Sequence, residues 1–449
     1  MTLQSSAALE APAFPTFLRY VGASVAGLLA LTGAALVDGI LVGRYLGAEA
    51  LAAVNLLIPL WTLLFGLVLM LAIGGSVVAG RYLGARRPSA ASRVFSGCLW
   101  GAGLTGVVLT VLCTIGRGPI LHLLAVPEDL RLLIRPYYHI VLLGLVPQYL
   151  AVVLYYFLRT AGQPQQASRA LVLGALVNIL LDVWLLALLR WDIRAAALAT
   201  IAAQLTQCLL LFYLFHRSSH PLRWTRVRAS VRRLWQFCGN GLSEFVNEVS
   251  AGLVLLAIHW LLSRHYGIAG VAGFALIHYG LLLNIMLACA IAEVVHVLVS
   301  QNRGAGQWPR AHRFFRFGMV MALSSGMVLW GAIQWGSDPL SRWFFADAQL
   351  AVAQYAREFW SVIGLVFWLT GANLVFSAWF TGLQQPGRSA LIALSRSLLL
   401  PLLFLMVLSV QPGVSFLWAL PLAEAFTLVL ALAMKVRQSS FWRSELAVE

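Results

Sequence analysis

Asn178 and Asp182 stand one helical turn apart in the stretch NILLDVWLL, surrounded by apolar residues. Residues at i and i+4 share a helix face, so this turn can offer amide and carboxylate oxygens to a common point. That chemistry suits a proton or a sodium ion. Glu244 and Glu248 repeat the spacing with Asn247 beside them, and Glu293 and His296 lie three residues apart. Together with Asp38 and Glu424, six acids fall in stretches apolar enough to lie in lipid. A central Asp in a spanning helix costs about 2.5–3.5 kcal/mol, so such acids point to ion paths or substrate sites. Neighbouring carboxylates can hold one proton between them. The Glu293–His296 pair suits a titratable, cation-accepting site and equally suits a buried pair that satisfies itself. Glu424 has no partner nearby in the sequence. His259 and His278 stand singly on apolar helices and read as core or cavity-wall residues.

The elements that must position these residues are membrane helices. Of the 449 residues, 61% are hydrophobic and only 10% charged, and the mean hydropathy is +0.85; a soluble chain carries about 25% charged residues. Apolar runs near the ~20 residues needed to cross the hydrocarbon fall at 18–42, 51–79, 94–115, 133–158, 168–189 and 195–215. Six more follow at 236–262, 268–299, 314–335, 353–380, 390–410 and 413–434. The first run lacks a cleavage signature and reads as a retained helix.

The net charge of +15 is topological. The loop between the sixth and seventh runs holds Arg217, Arg223, Arg226, Arg228, Arg232 and Arg233. Loops on the other side carry Glu49, Glu128, Asp129, Asp192, Asp338, Asp347 and Glu358. By the positive-inside rule both termini lie in the cytoplasm. This argues against a nucleic-acid partner and for the lipid bilayer as surroundings. Cys98, Cys113, Cys208, Cys238 and Cys289 lie in or beside the runs without CxxC spacing and read as small core residues. No phosphate-binding glycine motif follows a strand, so neither ATP nor another cofactor is expected.

The chain is also a duplication. With a shift of 220 residues, thirteen of the 52 positions from 44 to 95 are identical. The pairs include Arg44/Arg264, Gly47/Gly267, Gly84/Gly304, Arg93/Arg313 and Phe95/Phe315. Six helices per repeat is an even number, so both repeats insert in the same orientation. The expected architecture is an all-α integral membrane protein with twelve transmembrane helices. They form two pseudo-symmetric six-helix lobes around a central cavity. The boundaries are a tail at 1–17, an N-terminal lobe at 18–215, a basic linker at 216–234, a C-terminal lobe at 235–435 and a tail at 436–449.

The segments VDGILVGRYLGAEALAAVNLLIPL (37–60), LRTAGQPQQASRALVLGALVNILLD (158–182), AAALATIAAQ (195–204) and AIAEVVHVLVSQNRGAG (290–306) resemble the multidrug and toxic compound extrusion (MATE) transporters. The resemblance runs from about residue 18 to 435 and is nearest to the DinF-like branch. It implies export of organic cations or amphipathic compounds, driven by entry of protons or sodium. It also implies a cation-coupling site in the N-terminal lobe at Asp38, Asn178, Asp182 and Thr200, which is where sodium would bind. A further amide of that site is replaced here by Tyr155, which shifts the expectation towards protons. Glu248, nine residues after Gly239, resembles the helix 7 carboxylate of the NorM-like branch. With Asn247, Glu293, His296 and Tyr155 it forms the expected substrate or second cation site. The family often bends helix 1 at a proline; residues 18–42 contain none, leaving Gly22, Gly27, Gly33 and Gly39 to allow a bend.

The sequence therefore predicts a monomeric efflux antiporter of the bacterial cytoplasmic membrane, not an enzyme, working by alternating access. A flippase or exporter for lipid-linked precursors or secondary metabolites is the rival, and would need a basic cavity. A membrane acyltransferase or hydrolase built on Glu293 and His296 is a third reading, without a nucleophile motif to support it.

Overall fold

A computed structural model describes residues 7–218, 220–226, 231–344, 350–411 and 415–446. Arg228 and Asp347, which enter the charge asymmetry, lie outside them. The described residues form helices and turns only. Among the described residues ten helices are long and apolar enough to cross a bilayer, and two bent pairs, each taken as one span, bring the count to twelve.

We number these spans in order. In the first half they are α1 (Ala13–Leu46), α2 (Glu49–Gly84), α3 (Pro88–Ile115), α4 (Glu128–Leu143 with Leu145–Thr160), α5 (Pro164–Leu188) and α6 (Arg194–Arg217). In the second half they are α7 (Leu242–Gly267), α8 (Ile277–Gly304), α9 (Trp308–Gln334), α10 (Gln354–Ile363 with Val366–Gly382), α11 (Pro386–Leu408) and α12 (Phe416–Gln438). Within a helix the backbone polar groups pair along the chain, which is the condition for crossing lipid. The outward faces are correspondingly apolar, with Leu104, Leu112, Leu209 and Leu403 exposed. Proline occupies the first turn of α3, α5 and α11, where its missing N–H costs nothing.

The duplication is visible in the backbone. Gly47 and Gly267, an aligned pair, both take positive φ (91° and 62°) where one helix ends and the next begins. The two bent spans are α4, bent by 43° at Gly144, and α10, bent by 40° at Gly364 and Leu365. Gly144 and Gly364 are again 220 residues apart. In α4 the cause includes Pro147, which cannot donate to the carbonyl of Leu143. The runs at 133–158 and 353–380, read from hydropathy as single spans, are thus broken ones. By contrast α1 runs unbroken from Ala13 to Leu46 despite its glycines.

The helices gather in two units. The first comprises Met1–Gly241 with Ser300–Ala311. In it α1 packs along α5, α5 against α6, and α2 against α3 and α4. Its core includes Phe95 stacked on Phe215 at 4.5 Å and tilted against Phe157 at 5.3 Å. The segment 300–311 closes against α2 by a reciprocal approach. A Cβ on Gly84 would overlap the carbonyl of Gln301, and a Cβ on Gly304 that of Arg81. The aligned glycines are therefore places where backbones touch. The second unit comprises Leu242–Val299 and His312–Glu449. Its apolar core holds Phe274, Phe359, Phe367 and Leu417. His259 and His278 each lie 5.9 Å from the Phe274 ring, as aromatic packing residues.

Candidate functional site

In the first unit, α1 is held to α5 by Ser168 Oγ, which donates to the Ala23 carbonyl at 2.6 Å. Gly27 allows the close approach, since a Cβ there would stand 3.1 Å from Leu171 Cδ1. This packing brings Asp38 of α1 within electrostatic range of Asp182 of α5. Asp182 is fully buried, and Asn178 is buried one turn before it. Immediately after Asp182 the helix widens into a π-helical turn, Val183–Leu188, a local form often found at functional sites.

The electrostatics of this site are unusual. Asp38 Oδ1 and both carboxylate oxygens of Asp182 are buried without a hydrogen-bond partner among the described residues. A buried carboxylate ordinarily carries partners, because an unmet charge in a low-dielectric interior costs several kcal/mol. Three orphaned oxygens on adjacent helices form an acceptor-only cluster, suited to a cation that arrives from outside. Tyr137 of α4 is buried and lies within electrostatic range of both acids. Thr200 of α6 donates its hydroxyl to the Ala196 carbonyl at 3.0 Å, so only its lone pairs remain for a ligand.

Tyr155 belongs to an arginine cluster in the same unit. Its hydroxyl accepts from Arg159 Nη1 at 3.1 Å, and its ring lies 5.1 Å from the guanidinium carbon. Arg159 Nη2 donates to Ser24 Oγ at 2.6 Å, and Tyr20 donates to the Arg159 carbonyl at 3.3 Å.

The second unit holds a different constellation. Glu244 is hydrogen-bonded to Ser243 and Asn247 and lies within electrostatic range of Glu293 and Arg396. Glu293 and His296 are both buried on α8. Glu248 is half-buried and makes no hydrogen bond among the described residues. Glu424, which has no partner in the local sequence, has several in space. It accepts from Thr370 Oγ1 at 2.7 Å and from Asn373 Nδ2 at 2.6 Å, and Arg396 Nη1 stands 3.5 Å away.

The predicted residues thus fall into two groups. Asp38, Asn178 and Asp182 come together on α1 and α5, while Asn247 and Glu293 meet around Glu244. Sequence reasoning missed Tyr137, Arg396, Thr370 and Asn373. The signal for Arg396 was present, as a cation inside the apolar run at 390–410. Weighing bases by the same cost as acids would have found it. The other three are ordinary polar residues that only packing singles out.

The MatE family model matches residues 23–184 and 249–407, covering most of both halves. The chain is 26% identical over 306 residues to the probable multidrug resistance protein YoeA of Bacillus subtilis. That match covers 66% of the chain and 65% of the relative, just under two thirds of the latter's length. It is 24% identical over 427 residues to a FAD transporter of Shewanella oneidensis, covering 93% of each. Among solved structures, a MATE crystal structure in complex with MaD3S superposes with a TM-score of 0.91 at 20% identity. That match covers 99% of this chain and 100% of the other, a likeness of fold.

Proposed function

Because the chain belongs to the MatE family of membrane transporters, we propose that it exports small cationic or amphipathic molecules in exchange for protons. The observation that carries this reading is the set of orphaned, buried oxygens on Asp38 and Asp182. A proton bound there neutralises charge that no protein donor meets. With the proton gone, the same acids attract a cation. Proton and substrate then reduce each other's affinity by linkage, which is the requirement for exchange. Asn178 and Thr200 supply further oxygens. Sodium is the alternative ion, disfavoured because the resemblance puts Tyr155 in place of a further amide ligand and its hydroxyl is taken by Arg159.

The second unit contributes a substrate or second cation site through Glu248, Glu293, His296 and Asn247. Multidrug resistance, as in the name of the Bacillus subtilis relative, is the phenotype proposed here. The protein works as a monomer in the bacterial cytoplasmic membrane with both termini inside, exposing its sites to each side in turn.

The test is purified protein in liposomes with an imposed pH gradient and a fluorescent cationic substrate. Accumulation of the dye that collapses with the gradient supports the reading. Indifference to pH together with dependence on sodium replaces it with the sodium form. A second reading, export of an acidic metabolite, draws on the likeness to the FAD transporter and on Arg396. It requires gradient-driven movement of an anion in the same liposomes.

A further inference from the structure

Arg396 lies in a π-helical turn of α11, Ser395–Leu399, inside an apolar span. Its guanidinium is permanently charged and its side chain is only 11% exposed. If its sole task were to neutralise Glu424, the two would close as a bidentate pair at about 2.7–2.9 Å. They do not. The single contact is 3.5 Å long, and Glu424 is already met by Thr370 and Asn373. Nη2 turns instead to Asn247 Oδ1 at 2.9 Å, an oxygen that Ser397 also fixes at 2.8 Å. The guanidinium is held on one edge, and its remaining N–H groups have no hydrogen-bond partner among the described residues.

Glu244 lies within electrostatic range of both Arg396 and Glu293, and these three together with Glu248 all lie within electrostatic range of Cys289 on α8. The second unit therefore presents a point of positive charge bordered by carboxylates. A simple cation complements only part of that pattern. A molecule with an ammonium at one end and a carboxylate or phosphate at the other complements all of it. We infer that Arg396 is a specificity-determining residue that takes the acidic group of a zwitterionic substrate, while the neighbouring carboxylates Glu248 and Glu293 take its cationic end. This rests on the transport reading above and names the class of cargo for its second site.

The test is equilibrium binding to purified protein in detergent, without any gradient, using a rhodamine with a free carboxylate and the methyl ester of the same dye. Arg396→Gln is expected to weaken the carboxylate dye by about tenfold or more, the loss of a charge-assisted hydrogen bond, and the ester by less than twofold. Arg396→Lys keeps the charge without the fork and restores part of the loss. Glu424→Gln removes the counter-charge, so the carboxylate dye binds more tightly and the ester more weakly. Equal weakening of both dyes by Arg396→Gln, or no change in either, overturns the inference. So does a Glu424→Gln variant that moves both dyes in one direction, and this pair of measurements decides alone if Arg396→Gln does not fold. Failure of proton coupling is read separately, in liposomes with Asp182→Asn.

Discussion

Replacing Asp182 by Asn separates a working carboxylate from a structural one, because the two readings give opposite signs for stability. In the wild type both Asp182 oxygens and Asp38 Oδ1 are buried without donors among the described residues. An unmet buried polar group costs about 1–3 kcal/mol and a charged one more. The amide introduced by Asp182→Asn has nearly the same shape, carries no charge, and brings an N–H donor into the electrostatic range of Asp38. Relief of one orphaned charge is therefore worth about 1–3 kcal/mol, a rise of a few degrees in melting temperature. The same change removes an exchangeable proton, so export under an imposed pH gradient should fall by at least about tenfold. The assay pairs thermal unfolding, followed by tryptophan fluorescence, with dye transport in liposomes made from the same preparation. A variant that transports at the wild-type rate refutes the coupling role. A variant that loses transport and melts several degrees lower shows a structural carboxylate and refutes it equally.

Tyr137→Phe removes a hydroxyl within electrostatic range of both acids. Loss of about 1 kcal/mol of interaction should shift the proton concentration for half-maximal transport about fivefold, read from the pH profile, with little change in expression. Gly84→Ala and Gly304→Ala drive a Cβ into a facing carbonyl and should cost about 1–3 kcal/mol by overpacking. Gly33→Ala, with nothing near its Cβ, should be neutral or slightly stabilising; melting temperatures of the three variants distinguish the sites. In the loop after α6, buried His220 donates Nε2–H to the Phe215 carbonyl at 2.8 Å. Burial lowers its pKa below the usual 6.5. The unfolded loop therefore binds the proton more readily, and this contribution is present above pH 6.5 and lost as the pH falls. Hydrogen exchange in residues 220–226 should quicken between pH 7 and pH 5, and His220→Asn should flatten that response.

The count of spans and the duplication were legible in the sequence because both rest on composition and spacing. Hydropathy reports length in lipid, and the glycines at 47, 84, 267 and 304 recur because only glycine fits a positive φ or a touching backbone. The bend of α4 is marked in the sequence by Pro147, whereas that of α10 was not legible, since both of its halves remain apolar and Gly364 has no proline beside it. Asp38 and Asp182 were found because a carboxylate in lipid is conspicuous. Glu424 was undervalued for the opposite reason. Its partners Thr370, Asn373 and Arg396 lie 54, 51 and 28 residues away in sequence, so the contacts appear only when α10, α11 and α12 pack together. The role of Arg396 depended on its distance from Glu424, a quantity that no spacing rule supplies.

The matching bends at Gly144 and Gly364 carry a meaning for ancestry. Two breaks at the same repeat position, in halves that have drifted far apart in side chains, are most simply inherited from one copy. A fourth helix already broken in a half-length ancestor would account for both bends. Such a six-helix protein would begin and end on the same side of the membrane. Two copies could be joined end to end by a loop alone, without an added helix to reverse direction. Once fused, the copies were free to diverge, and the present halves differ in carrying buried aspartates in one and Arg396 in the other. A gene encoding only residues 1–234, expressed together with one encoding 235–449, is then a natural experiment.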